Sequence, residues 1–149
     1  MEFRSFMDQA LEEARAAGAR GEVPVGAVVV NADGKIIARA GNETRARHDP
    51  TAHAETLAIR AACAALGTER LSQHDLYVTL EPCPMCAGAI SWARIRRLYF
   101  GASDPKSGGV LHGARVFEHP QCHHAPEVYD GLAVEACETL LKDFFAERR

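Results

Sequence analysis

Residues 75–102 read DLYVTLEPCPMCAGAISWARIRRLYFGA, and the fold turns on how this stretch is divided. The outer runs, DLYVTL and RRLYFGA, carry the leucine, valine and aromatic residues of buried strands. Between them, Pro82 to Arg94 predicts a helix, with proline near its start and small and apolar residues after it. A strand, a helix and a second strand in this order make a right-handed βαβ crossover, so the two strands lie parallel in one sheet.

Upstream, VGAVVVN (25–31) reads as a buried strand, and Asp33-Gly34 turns the chain into KIIARAGN (35–42), giving a hairpin. An antiparallel hairpin joined to a parallel crossover makes the sheet mixed. Residues 2–17 place Phe3, Phe6, Met7, Ala10, Leu11 and Ala14 on one helical stripe, with Glu2, Asp8, Glu12 and Glu13 largely elsewhere. Gly18 and Gly21 are expected to stop that helix. Asp49-Pro50 has the pattern of an N-cap followed by a first helical residue, predicting a helix through about Leu66. Residues 103–130 are loop-rich, and AVEACETLLKDFFAERR (133–149) closes the chain as an amphipathic helix. The expectation is one domain over residues 1–149: a three-layer α/β/α sandwich around a central mixed sheet of about five strands, four of them placed by these patterns.

The 149 residues, 47% hydrophobic and 25% charged, suit one ordinary core. No apolar run approaches the roughly 18 residues of a membrane span, and the N-terminus has no apolar signal-peptide region. A cytoplasmic location is therefore expected. The five cysteines are an odd count without an export signal, which argues against a disulfide framework. Cys63 and Cys137 sit in helix-like apolar surroundings and are expected to be buried free thiols. With a net charge of −3, any basic footprint for nucleic acid is local, and Arg39–Arg47 and Arg94–Lys106 are the segments that qualify.

Two stretches carry reactive side chains, HDPTAHAETLAI (48–59) and TLEPCPMCAGAI (79–90). Cys83 and Cys86 fall three apart on one helical face, at a helix start where unpaired N–H groups favour thiolate. Zinc wants such a pair, but a structural site wants four protein ligands, usually two such pairs. Only one Cys-x-x-Cys exists; His53 would be a third ligand, and no fourth is apparent. A vacant fourth position filled by water is the mark of a catalytic zinc. Glu55 would then take that water's proton and pass it to a leaving group. Residues two apart on a regular helix diverge by roughly 200°, so His53 and Glu55 converge only near a helix start or across a substrate. A thioredoxin-like redox pair would need neither residue. A non-catalytic RNA-binding or scaffold protein with a structural zinc would have no use for Glu55.

His-x-Glu followed by Pro-Cys-x-x-Cys resembles the bacterial tRNA-specific adenosine deaminases of the cytidine-deaminase superfamily. The likeness runs nearly the whole length through EVPVGAVVV, GNETRARHDPTAHAE, TLEPCPMCAGAI, FGASDPKSG and LLKDFFAERR. It implies a cytidine-deaminase-like fold, one zinc per subunit held by His53, Cys83 and Cys86, and Glu55 as proton shuttle. The implied reaction is attack of a zinc-activated water at C6 of adenine, giving inosine and ammonia. By the same resemblance the substrate is a wobble adenosine in the anticodon stem-loop, most often of an arginine tRNA. The expected substrate contacts are Asn42, Ala54, Asp104, Lys106 and Phe144. A homodimer is implied, with no organic cofactor and no membrane. Taken without the resemblance, Asn42 is a loop asparagine, residues 104–108 are a turn, and Phe144 and Phe145 are core. Related deaminases act on free bases such as guanine or cytosine, so a free-base substrate is the alternative. GGVLHGARVFEHP (108–120) and PQCHH (120–124) depart from the family pattern. Cys122, His123 and His124 read as incidental ligand types in a surface loop, and Trp92 as a core or interface residue.

Overall fold

The computed structural model describes residues 3–148, so Glu2 and Arg149 of the expected terminal helices lie outside the described residues. In chain order the elements are α1 (Met7–Ala19), β1 (Gly26–Val30), β2 (Ile36–Gly41), α2 (Ala54–Leu66), β3 (Asp75–Leu80), α3 (Pro84–Ala93), β4 (Arg97–Ala102), a 3-10 turn (Val116–Glu118), β5 (Glu127–Tyr129) and α4 (Val134–Ala146). The strands form one mixed sheet in the order β2-β1-β3-β4-β5. β1 pairs antiparallel with β2 and β3, and β3, β4 and β5 run parallel.

Strand periodicity divides the core. Leu76 and Val78 of β3, with Leu98 and Phe100 of β4, face α2 and α3 together with Ala58, Ile59, Ala87 and Ile90. The alternate residues Tyr77 and Tyr99 face α1 and α4, against Phe6, Met7, Leu11 and Cys137. Their rings stack at 4.4 Å, and Tyr129 of β5 continues the stack on Tyr99 at 5.1 Å. This is the three-layer α/β/α sandwich. Because β2 and β4 run the same way as β3, the segments leaving all three strands emerge at one edge of the sheet. Such an edge is where open α/β sheets place their sites.

Four local expectations are corrected. α1 begins at Met7 because Ser5 Oγ accepts the Met7 N–H (3.1 Å), and it continues through Gly18 to Ala19, where Gly21 at φ 87° ends it. α2 begins at Ala54, not at Asp49-Pro50. Asp49 Oδ1 instead accepts the Thr51 N–H (2.8 Å) and hydroxyl (2.7 Å), closing a turn ahead of the helix. Within the loop-rich segment, Glu127–Tyr129 pairs with Arg97–Tyr99 as a short edge strand. All five cysteines are free, but Cys63 is only half-buried while Cys137 is buried.

Leu98 is fully buried and Leu66 is 43% exposed. Leu98→Ala is expected to cost about 2–5 kcal/mol in equilibrium urea unfolding, and Leu66→Ala less than about 1 kcal/mol.

Candidate active site

His53 is the N-cap of α2 and Cys83 the N-cap of α3, both in extended backbone, and Cys86 lies one turn into α3. His53 Nδ1 stands 3.6 Å from Cys83 Sγ and 3.5 Å from Cys86 Sγ. Zinc–sulfur and zinc–nitrogen bonds of about 2.3 and 2.0 Å, at a tetrahedral angle, would separate nitrogen from sulfur by about 3.5 Å. The three atoms therefore fit zinc as they stand. Among the described residues, no other group of histidine, cysteine and carboxylate side chains converges in this way. Cys122, His123 and His124 do not: Cys122 Sγ and Ser91 Oγ both donate to the His124 carbonyl, tying the loop to α3.

Hydrogen bonding from Cys86, aided by His53, brings the Cys83 thiol down to about 4 against the opposing effect of burial. Cys86 is pushed up by the neighbouring Cys83 sulfur and by burial, and its Sγ lies 3.3 Å from Thr56 Oγ1. The pair thus carries a thiolate at neutral pH. Placing His53 off the helix resolves its geometry with Glu55. Glu55 is the second residue of α2, 4% exposed, and belongs to none of the ion pairs among the described residues. Burial raises its carboxyl to about 7.

Asn42, at the end of β2, has its orientation fixed, since its Oδ1 accepts the Ala54 N–H at 2.8 Å. Its amide donors make no bond to the described residues. Ala54 is buried, with its N–H held by Asn42. Phe144 is 8% exposed under the Arg148 guanidinium, 3.5 Å from its ring centroid, whereas Phe145 is 50% exposed. One cavity brings Phe144, Phe145 and Arg148 against Glu22, Thr44 and Arg45. A second brings Phe145 and Leu141 against Asp104, Lys106 and Ser107. The basic segments are partly neutralised: Arg39 pairs with Glu12 and Glu13 at 2.8 Å, and Arg96 with Asp75 at 3.0 Å. Trp92 is 66% exposed and so is not core.

Two buried carboxylates at this edge are not apparent from motif spacing. Glu22 accepts N–H groups of Arg45 (3.1 Å) and Ala46 (2.9 Å). Burial opposes its ionisation, but these bonds hold it below the usual carboxylate range. Glu81 does the same for residues 104–112. The available signal was a glutamate inside otherwise apolar runs, in EVPVG and TLEPC.

With this geometry in view, residues 1–102 match the cytidine and deoxycytidylate deaminase zinc-binding region. The chain belongs to that family. It is 62% identical over 144 residues to the tRNA-specific adenosine deaminase of Agrobacterium fabrum, covering 97% of this chain and 94% of the relative. It also resembles a structure solved in studies of A-to-I editing by tRNA deaminases at the wobble position of transfer RNA. That likeness is 63% identity and a TM-score of 0.89, over 91% of this chain and 98% of the other. The guanine deaminase of Nitrosomonas europaea is 28% identical, with a TM-score of 0.79, over 94% of this chain and 82% of the other.

Zinc measured by atomic absorption on purified protein is expected to drop at least about ten-fold in His53→Ala and in Cys83→Ala. Asn42→Asp keeps an acceptor for the Ala54 N–H and is expected to unfold within about 0.5 kcal/mol of wild type, whereas Asn42→Ala loses about 1 kcal/mol. Thermal melts of the two variants check the cap directly.

Proposed function

We propose that residues 1–149 act as a single zinc-dependent deaminase domain that converts the wobble adenosine of tRNA to inosine, with one zinc per chain. The observation that carries this reading is Glu55, buried without an ion-pair partner beside three converging ligand atoms. His53, Cys83 and Cys86 would hold the zinc, which would supply a nucleophile by lowering the pKa of a water to about 7. Glu55 would relay that water's two protons, one to N1 of the ring and one to the exocyclic nitrogen. Oxygen adds at C6, the C6–N bond breaks, and adenosine plus water become inosine plus ammonia. A structural zinc would need no buried carboxylate beside it.

The tRNA substrate is supported by similarity to tRNA-specific adenosine deaminases over nearly the full length of both chains. Anticodon-loop bases can be splayed out, which removes most of the cost of extracting a base from a duplex. The substrate would be an arginine tRNA. Asn42 would donate its free amide hydrogens to the target nucleoside, at the mouth formed with Ala54. Lys106 would meet a phosphate, and Asp104 a base or sugar of the loop. Phe144 would serve from beneath, supporting Arg148, with Phe145 exposed to the RNA. The exposed Trp92 and Met85 of α3 are the surface on which a second copy would pack in a homodimer. A tRNA-modifying role would place the protein in the cytoplasm; no helix of the described residues is long and apolar enough to cross a membrane. The fold shared with a guanine deaminase supports one alternative, a free-base substrate.

Zinc-replete protein incubated with an arginine tRNA anticodon stem-loop is expected to yield inosine by sequencing, and no ammonia from free guanine or cytosine. The reverse pattern would establish the alternative. Glu55→Ala is expected to keep its zinc while turnover falls by about 100-fold or more.

A further inference from the structure

The site assigned above uses the cysteines of TLEPCPMC but leaves its glutamate unexplained. Glu81 is 2% exposed and has no Lys or Arg partner among the described ion pairs. Its charge is met by four backbone N–H groups and one histidine ring nitrogen of a single loop. Oε1 accepts the Asp104 N–H (3.0 Å) and faces His112 Nδ1 (2.8 Å). Oε2 accepts the N–H groups of Val110 (3.2 Å), Leu111 (2.9 Å) and His112 (3.0 Å). Converging backbone N–H groups are a common cradle for a bound anion; here the anion is the chain's own carboxylate.

The loop that Glu81 gathers is closed on itself. Asp104 Oδ1 accepts the Ser107 N–H (3.0 Å), and the Asp104 carbonyl accepts the Gly108 N–H (2.9 Å). Beyond Gly108, the Gly109 N–H donates to the Pro82 carbonyl (2.8 Å). Residues 104–108 thus form a small rigid turn, fastened at one end to Glu81 and at the other to the residue before Cys83. A methyl on Gly108 would stand 2.5 Å from the Asp104 carbonyl oxygen and 2.6 Å from Glu81 Oε2, and one on Gly109 would stand 2.6 Å from the Pro84 nitrogen. The turn and the chain entering α3 are therefore in direct contact.

We propose that Glu81 is a positioning residue for substrate binding: by holding the Asp104 N–H and the 110–112 backbone, it fixes the turn bearing Asp104 and Lys106 relative to Cys83. This rests on the reading of Asp104 and Lys106 as tRNA contacts. The register between the turn and the start of α3 then sets the distance from the gripped nucleotides to the reacting base.

Glu81→Gln separates this role from general stability. An amide has one oxygen, and the site with three N–H donors takes it. The NH2 group is left facing His112 Nδ1 and the Asp104 N–H. His112 can present an unprotonated Nδ1 as acceptor; a peptide N–H cannot change its role. Only the Asp104 tether is lost. With the anticodon stem-loop, Glu81→Gln is expected to raise KM about ten-fold, change kcat by less than about three-fold and retain zinc. Amide hydrogen exchange is expected to accelerate at Asp104 while Val110, Leu111 and His112 stay protected. An unchanged KM overturns the proposal, and so does loss of zinc or kcat at constant KM, which would place Glu81 in the metal loop instead. Should Glu81→Gln fail to fold, exchange in the unmutated protein decides. Protection of the Asp104 amide by about 100-fold or more supports the tether, and exchange at the rate of an open loop removes it. Absence of inosine from the wild-type protein would overturn the deaminase reading, while the exchange measurement would still decide whether Glu81 holds the turn.

Discussion

Two helix N-termini meet at one point, and the rest of the site depends on that meeting. α2 and α3 lie on the same face of the sheet and begin at the same edge. Each brings the positive end of its dipole and unpaired N–H groups, so the space between them favours anions. The N-cap positions, where Ser, Thr, Asp or Asn would stabilise a helix by about 1 kcal/mol, are occupied by His53 and Cys83, and neither makes a side-chain cap bond. The missing caps are supplied otherwise. Asn42 reaches across from β2 to accept the Ala54 N–H, and Pro84 at the start of α3 has no N–H to satisfy. Ligand geometry and helix stability thus come from different residues.

A second division runs through the loops. Glu22 and Glu81 each lie buried at the sheet edge and accept backbone N–H groups of a segment that frames the site, Arg45 and Ala46 in one case and residues within 104–112 in the other. Because the anchors act largely through the backbone, Arg45 and Lys106 remain exposed with no acidic partner in the described ion pairs. An ion pair with either residue could hold the loop as well, but only by using the charge that RNA would meet.

Extended patterns made the fold legible: the apolar and aromatic runs of β3 and β4, the Asp33-Gly34 hairpin and the amphipathic C-terminal segment all form as those patterns predict. Boundaries set by competing local bonds were not legible. Asp49-Pro50 carries a helix-start signal, but Asp49 spends its carboxylate on Thr51 two residues ahead, and the helix waits for an acceptor twelve residues upstream, Asn42. β5 is three residues long with two of them exposed, too short for a period to register. The convergence of His53, Cys83 and Cys86 could be anticipated from their spacing, because such chemistry is restricted to a few residue types. Glu81 did not, because five bonds to a loop some twenty to thirty residues away leave no mark in sequence beyond one acidic residue in an apolar run.

Electrostatics explain how a chain of net charge −3 can suit an anionic substrate. Arg39 and Arg96 are held by Glu12, Glu13 and Asp75 and contribute little field at a distance. Arg45 and Lys106 line two cavities that share Val23 and, at the end of α4, Phe145, so two cations without an acidic partner stand where the two anchored loops meet that helix. With only a few such cations, phosphate neutralisation can position a substrate but supplies little binding on its own. Under the proposed function, selection would then fall on whether a base can leave its stack and reach the site, which favours a splayed loop over a duplex.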